Sequence, residues 1–70
     1  MGSVARVTEI SSRSETSFED AITTGIQRAS ETLRGLQSAW IKEQEVMLDP
    51  STGRVTGYQV IMKITFVLEG

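Results

Sequence analysis

Tyr58-Gln59-Val60-Ile61-Met62-Lys63-Ile64-Thr65-Phe66-Val67-Leu68 sets an apolar side chain at every second position: Tyr58, Val60, Met62, Ile64, Phe66 and Leu68. Successive side chains of a strand point to opposite faces, so this spacing dictates a strand with one wholly buried face. The opposite face carries Gln59, Ile61, Lys63, Thr65, Val67 and Glu69. It is too polar for a second core and too apolar for a surface that meets only water. Such a half-apolar back is where other subunits or a ligand are expected, and the uncovered face should include Gln59, Ile61 and Val67.

Working back from this strand, which the spacing predicts over about Arg54 to Glu69, Asp49-Pro50-Ser51-Thr52-Gly53 supplies turn chemistry. Proline presets one φ angle and glycine admits a positive one. A second strand is expected before it, from about Ser38 to Leu48, so the two form a hairpin with a rather long loop. Gly57 inside the last strand signals a bulge or a close backbone approach.

Further upstream, Phe18, Ala21, Ile22, Gly25, Ile26, Ala29, Leu33 and Leu36 recur at three- and four-residue intervals, the stripe of an amphipathic helix. Arg28, Glu31 and Arg34 fall on its wet side. Thr16 and Glu19 have capping-box spacing and Ser17 is a competing cap, while Glu19 and Asp20 place negative charge where the helix dipole favours it. Gly25 and Ala29 allow close approach to a sheet, and Gly35 is a stop signal. The helix is expected from about Ser17 to about Leu36. Before it, Val4 to Ile10 reads as a first strand and Ser11 to Ser17 as a polar loop.

The resulting order is strand, helix, strand, strand: an α+β domain spanning residues 1–70, a three-stranded antiparallel sheet wrapped around one helix. A chain of 70 residues rarely buries enough apolar surface to be comfortable alone. It contains no cysteine and no histidine, which removes disulfides and leaves no basis for structural zinc. Oligomerisation is the remaining source of stability, so copies of the chain itself are the expected partner.

Seven basic residues against nine acidic ones, with no basic run, speak against nucleic acid. No stretch approaches the roughly 20 apolar residues of a membrane span, and Met1-Gly2-Ser3-Val4-Ala5-Arg6 lacks the apolar core of a signal peptide; a cytoplasmic location is expected. Without histidine or cysteine the commonest general base and the best nucleophile are missing, and the serines gather where turns and caps explain them. No enzyme is expected. Glu43, Glu45 and Asp49 offer calcium the oxygen donors it prefers, but they lack EF-hand spacing and carboxylates on exposed strands and turns are usually solvated, so no metal site is expected.

Two residues remain as candidates for binding. Trp40, the single tryptophan, either fills a core or subunit contact or offers a flat face for stacking. Gln59 carries an amide with both donor and acceptor groups, which either meets water, pairs across a subunit boundary or matches the mixed polar edge of a heterocycle.

Ser17-Phe18-Glu19-Asp20-Ala21-Ile22, Ala29-Ser30-Glu31-Thr32-Leu33-Arg34, a tryptophan soon after, and Tyr58-Gln59-Val60 through Lys63-Ile64-Thr65-Phe66 together resemble the dodecins over nearly the whole chain. Dodecins are small flavin-binding proteins of β-α-β-β order whose twelve copies form a hollow dodecameric shell. The resemblance implies a homododecamer that binds and stores flavin, FMN or riboflavin, without catalysis. It assigns ring stacking at a twofold contact to Trp40 and hydrogen bonding of the polar ring edge to Gln59, nineteen residues apart as in flavin-binding members. Counting six residues on from Thr32 instead places the stacking position at Ser38, two residues before Trp40 on the same strand face. An Arg-Gly pair common in flavin-binding members midway along the second strand is replaced here by Glu45-Val46 or Met47-Leu48. The alternative function is a dodecin-like shell that holds a metal ion or another small ligand, or is purely structural.

Overall fold

The computed structural model describes residues 2–68. It contains β1 (Ala5–Ser14), α1 (Phe18–Ser30), β2 (Leu36–Leu48) and β3 (Val55–Val67). The three strands form one antiparallel sheet in the order β1-β3-β2, so the most apolar strand is the central one. The α+β reading and the β-α-β-β order hold. The expected Glu69 end of the last strand lies outside the described residues.

β3 alternates as its sequence dictates. Val60 and Met62 are fully buried and Ile64 nearly so, joined by Ala21 from the helix, with Ile10, Phe18, Ile22 and Ile26 packed around them. Phe18 meets Tyr58 edge to face, ring centroids 5.1 Å apart, the geometry that aromatic quadrupoles favour. Gly25 lets α1 approach the sheet: an added Cβ would lie 2.8 Å from Met62 Cε and 2.9 Å from Ser12 Cβ.

Strand β1 runs four residues past the expected Ile10, because Ser11, Ser12, Arg13 and Ser14 continue the ladder opposite Ile61, Val60, Gln59 and Tyr58. Pairing with a long central strand outweighs the weak strand preference of serine. Ser12 also supplies a small side chain where the helix comes closest. The loop expected over Ser11 to Ser17 shrinks to the three residues between β1 and α1.

Of the two competing caps, Ser17 is the N-cap, its Oγ accepting from the Asp20 amide at 2.9 Å. The buried Ser14 hydroxyl donates to Asp20 Oδ2 at 2.6 Å and accepts from the Thr16 amide at 2.9 Å, tying the end of β1 to the first helical turn. Ser17→Ala is expected to cost about 1 kcal/mol, read as a lower denaturation midpoint with unchanged slope.

The helix ends at Ser30, not near Leu36. Ala29 O accepts from both Thr32 N and Leu33 N, closing the last turn. Gly35 then takes φ +72°, and its carbonyl accepts from Val67 N at 3.0 Å. Leu36 is thereby turned into β2 opposite Phe66. The apolar stripe is continuous in sequence, but its last leucine belongs to the sheet.

At the hairpin end Gly53 has φ +75°, and Gly53 N donates to Asp49 O at 2.7 Å. The Asp49 carboxylate accepts from the Ser51 hydroxyl at 2.7 Å and the Ser51 amide at 2.8 Å. These two bonds, the hydroxyl's first, hold Asp49 below the usual carboxylate range. Pro50 sits in this turn, outside the paired strands.

The register between β2 and β3 slips three times: Gln37 and Lys42 are extra residues of β2, between Leu36 and Ser38 and between Ile41 and Glu43, and Thr56 is an extra residue of β3, where Met47 opposes Gly57 but Leu48 opposes Val55. The bulge signalled by Gly57 is therefore present. So is the close approach, since an added Cβ there would lie 3.2 Å from Arg13 Nε.

The helix packs on β1 and β3, and the described chain is drawn out to 56 × 19 × 13 Å. Apolar surface is consequently left open on both sides of the sheet, a correction to the expectation of one uncovered face. Ile41 and Val46 are exposed on the helix side of β2, while Val7 and Trp40 are exposed on the back. The expected back residues Gln59, Ile61 and Val67 are only half-buried.

Candidate ligand site on the sheet back

Directly paired residues of an antiparallel sheet share a face. Because Val60, Met62 and Ile64 face the helix, the pairings define the back as rows running across β1, β3 and β2. One row is Glu9, Lys63 and Trp40; the next is Ser11, Ile61 and Glu43; the third is Arg13, Gln59 and Glu45. Trp40 and Gln59 thus lie on the same face of one subunit.

They do not lie together. Trp40 stands opposite Lys63, four residues from Gln59, or about 13 Å along the strand at about 3.3 Å per residue. One flavin ring system cannot stack centrally on Trp40 and hydrogen-bond Gln59 of the same subunit across that gap. A site using both residues has to take them from different copies.

No register slip separates Ser38 from Trp40, which oppose Thr65 and Lys63. Both side chains belong to the back, with Trp40 one same-face step, about 6.6 Å, nearer the hairpin turn. Trp40 is 65 % exposed, so it is not a core residue of the subunit.

Strict alternation along β2 would put Trp40 and the pair Glu43 and Glu45 on opposite faces. The bulge at Lys42 shifts the phase by one and brings all three to the back. Glu43, Gln44, Glu45, Gln59 and Ile61 line a groove of about 330 Å³ there. The sequence offers the two glutamates as metal ligands, and Glu45 in place of the Arg-Gly pair, but does not show that they neighbour Gln59, because the bulge that places them has no glycine or proline to announce it. Among the described residues no group of three or more His, Cys, Asp or Glu side chains is placed to hold a metal ion.

Lys42 itself reaches Glu9 on the far edge strand, Nζ to Oε1 3.1 Å. Both side chains are nearly half exposed, so the pair contributes little stability. Its effect is positional, because it occupies one of the two lysines next to Trp40.

Comparison with known proteins agrees with this architecture. The dodecin family model matches residues 4–69, and the chain belongs to the dodecin family, whose members are small non-enzymatic binding proteins. It is similar to the dodecin from Streptomyces davaonensis, 34 % identical with a TM-score of 0.90, covering 100 % of both chains. It is also similar to the dodecin from Streptomyces coelicolor, 31 % identical with a TM-score of 0.88, over 97 % of this chain and 94 % of that one. A third similar structure is the calcium dodecin from Mycobacterium tuberculosis, described as a calcium chelating immunodominant antigen with a novel calcium-binding site. It is 30 % identical, with a TM-score of 0.80, over 96 % of this chain and 93 % of that chain. No curated protein matches the chain. Among the described residues no helix is long and apolar enough to cross a membrane.

Proposed function

We propose that this chain assembles as a cytoplasmic homododecamer that binds and stores flavin, FMN or riboflavin, without turnover. Trp40 stacks on the isoalloxazine ring and Gln59 of another copy hydrogen-bonds its pyrimidine edge. The observation that carries this reading is the exposed indole on the sheet back of a dodecin. An aromatic face left in water costs free energy that a bound ring or a neighbouring subunit recovers. Family membership favours the ring, and the spread of Trp40 and Gln59 along one subunit favours a site completed by a second copy.

The test is Trp40→Ala with riboflavin and FMN titrations followed by quenching of flavin fluorescence. Loss of the stacking face is expected to weaken binding about ten- to a hundredfold while the assembly and its melting temperature stay unchanged. If Trp40 fills a subunit contact instead, the variant loses stability, by about 3 to 5 kcal/mol for a fully buried indole, and the parent shows no quenching.

A second reading, a shell that holds a divalent cation, is favoured by Glu43 and Glu45 sharing a groove with the Gln59 amide and by the likeness to a calcium dodecin. Calcium titration of the assembled protein, followed by melting temperature, separates it: a rise that Glu43→Gln and Glu45→Gln abolish supports the cation.

A further inference from the structure

We propose that Arg13 is a third ligand-binding residue of the site, donating to a ring-edge oxygen that Gln59 leaves unpaired, with Gly57 as the bare platform that holds its guanidinium in place. The inference rests on the flavin reading above and extends it by one residue of β1. Arg13 is the direct cross-strand partner of Gln59, so both belong to the sheet back. Its guanidinium crosses to β3 just beyond Gln59: a Cβ added to Gly57 would lie 3.2 Å from Arg13 Nε, 3.3 Å from one terminal nitrogen and 3.5 Å from Met47 Cγ. Gly57 and its partner Met47 form the row after Gln59 and Glu45, one same-face step of about 6.6 Å toward the hairpin turn.

Gly57 does not take a positive φ, so its backbone has no need of glycine. The space above it has, because a side chain there would displace the guanidinium. Among the described residues the ion pairs are Arg28 with Glu31 and Lys42 with Glu9, so exposed Arg13 gives none of its five donors to a carboxylate.

The pyrimidine edge of a flavin ring alternates carbonyl oxygen, N–H and carbonyl oxygen. A glutamine amide has an oxygen that accepts and a nitrogen that donates, so Gln59 satisfies the N–H and one carbonyl. The second carbonyl then needs a donor beside the amide. Glu45, on the β2 side of Gln59, has a carboxylate that only accepts. Arg13, on the β1 side, only donates, and a charged donor makes the stronger bond.

Riboflavin and its 2-thio and 4-thio analogues, titrated into the assembled protein, test this, because sulfur in place of a carbonyl oxygen is a weak acceptor. Arg13→Met is expected to weaken riboflavin binding about tenfold, with the melting temperature of the assembly unchanged. The same substitution should cost little with the analogue whose sulfur faces Arg13, and about as much as with riboflavin for the other. Arg13→Lys, which keeps the charge without the planar fork, should recover part of the loss. Gly57→Val, whose side chain takes the place of the guanidinium, should weaken riboflavin binding with Arg13 intact. Unchanged riboflavin affinity in Arg13→Met, or an equal loss with all three ligands, overturns the assignment and leaves the flavin reading intact. Failure of riboflavin to bind to an intact parent assembly overturns the two together.

Discussion

Met62→Ala is expected to remove about 2 to 5 kcal/mol of stability, which is most of what a domain of this size possesses. Met62 lies at the centre of β3, is fully buried, and touches the helix where Gly25 brings the backbone closest. Truncation removes its contacts and leaves a cavity that the small neighbours Ala21, Gly25 and Ser12 cannot collapse to fill. Thermal unfolding should be compared at matched protein concentration, because assembly shifts apparent stability by mass action. A loss below about 1 kcal/mol would mean that the core lies elsewhere. Met62→Leu, close in volume, should cost less than about 1.5 kcal/mol and guards against a trivial failure to fold.

Gly25 gives the second large effect, and with a sign opposite to intuition. A glycine inside a helix ordinarily weakens it by about 1 kcal/mol relative to alanine, so Gly25→Ala would normally stabilise. Here the new methyl would meet Met62 Cε at 2.8 Å and Ser12 Cβ at 2.9 Å. The methionine tip can swing aside. The serine Cβ is fixed to the backbone of β1 and cannot. With overpacking costing about 1 to 3 kcal/mol, the net change should be a loss of up to about 2 kcal/mol, and Gly25→Leu should prevent the helix from docking at all. Melting temperature and near-ultraviolet dichroism read both variants. A Gly25→Ala variant that melts higher than the parent would show that the helix stands further from β1 than described.

The elements whose residues satisfy local and tertiary demands together were legible in the sequence. β3 alternates strictly and is central, so its period survives folding unchanged. The helix start was legible because Ser17, Glu19 and Asp20 act within a single turn. The helix end was not: Leu33 and Leu36 keep the stripe's spacing although Gly35 has already turned the chain, and spacing cannot say which neighbour buries a leucine. The serines of β1 were misread for a related reason, since their pairing is dictated by β3 and not by their own preference.

The site was legible in part. Trp40 and Gln59 share the sheet back, yet nothing in their nineteen-residue separation reveals the 13 Å or so between their rows, which depends on where β2 slips. The company of Glu43 and Glu45 was hidden for the same reason. One unpaired residue at Lys42 changes the face of everything after it, and a bulge of this sort, without glycine or proline, leaves no compositional trace.

The placement of the three slips has a consequence for how far association can go. The outer strands expose unpaired backbone, and β1 has a regular ladder while β2 carries two extra residues, at Gln37 and Lys42. Two β1 edges meeting antiparallel about a twofold axis would close on themselves as a symmetric pair. Endless growth would instead need β1 of one molecule to zip along β2 of the next, and such a zip loses step at each bulge. The geometry of a single edge thus disfavours strand-by-strand growth into a filament.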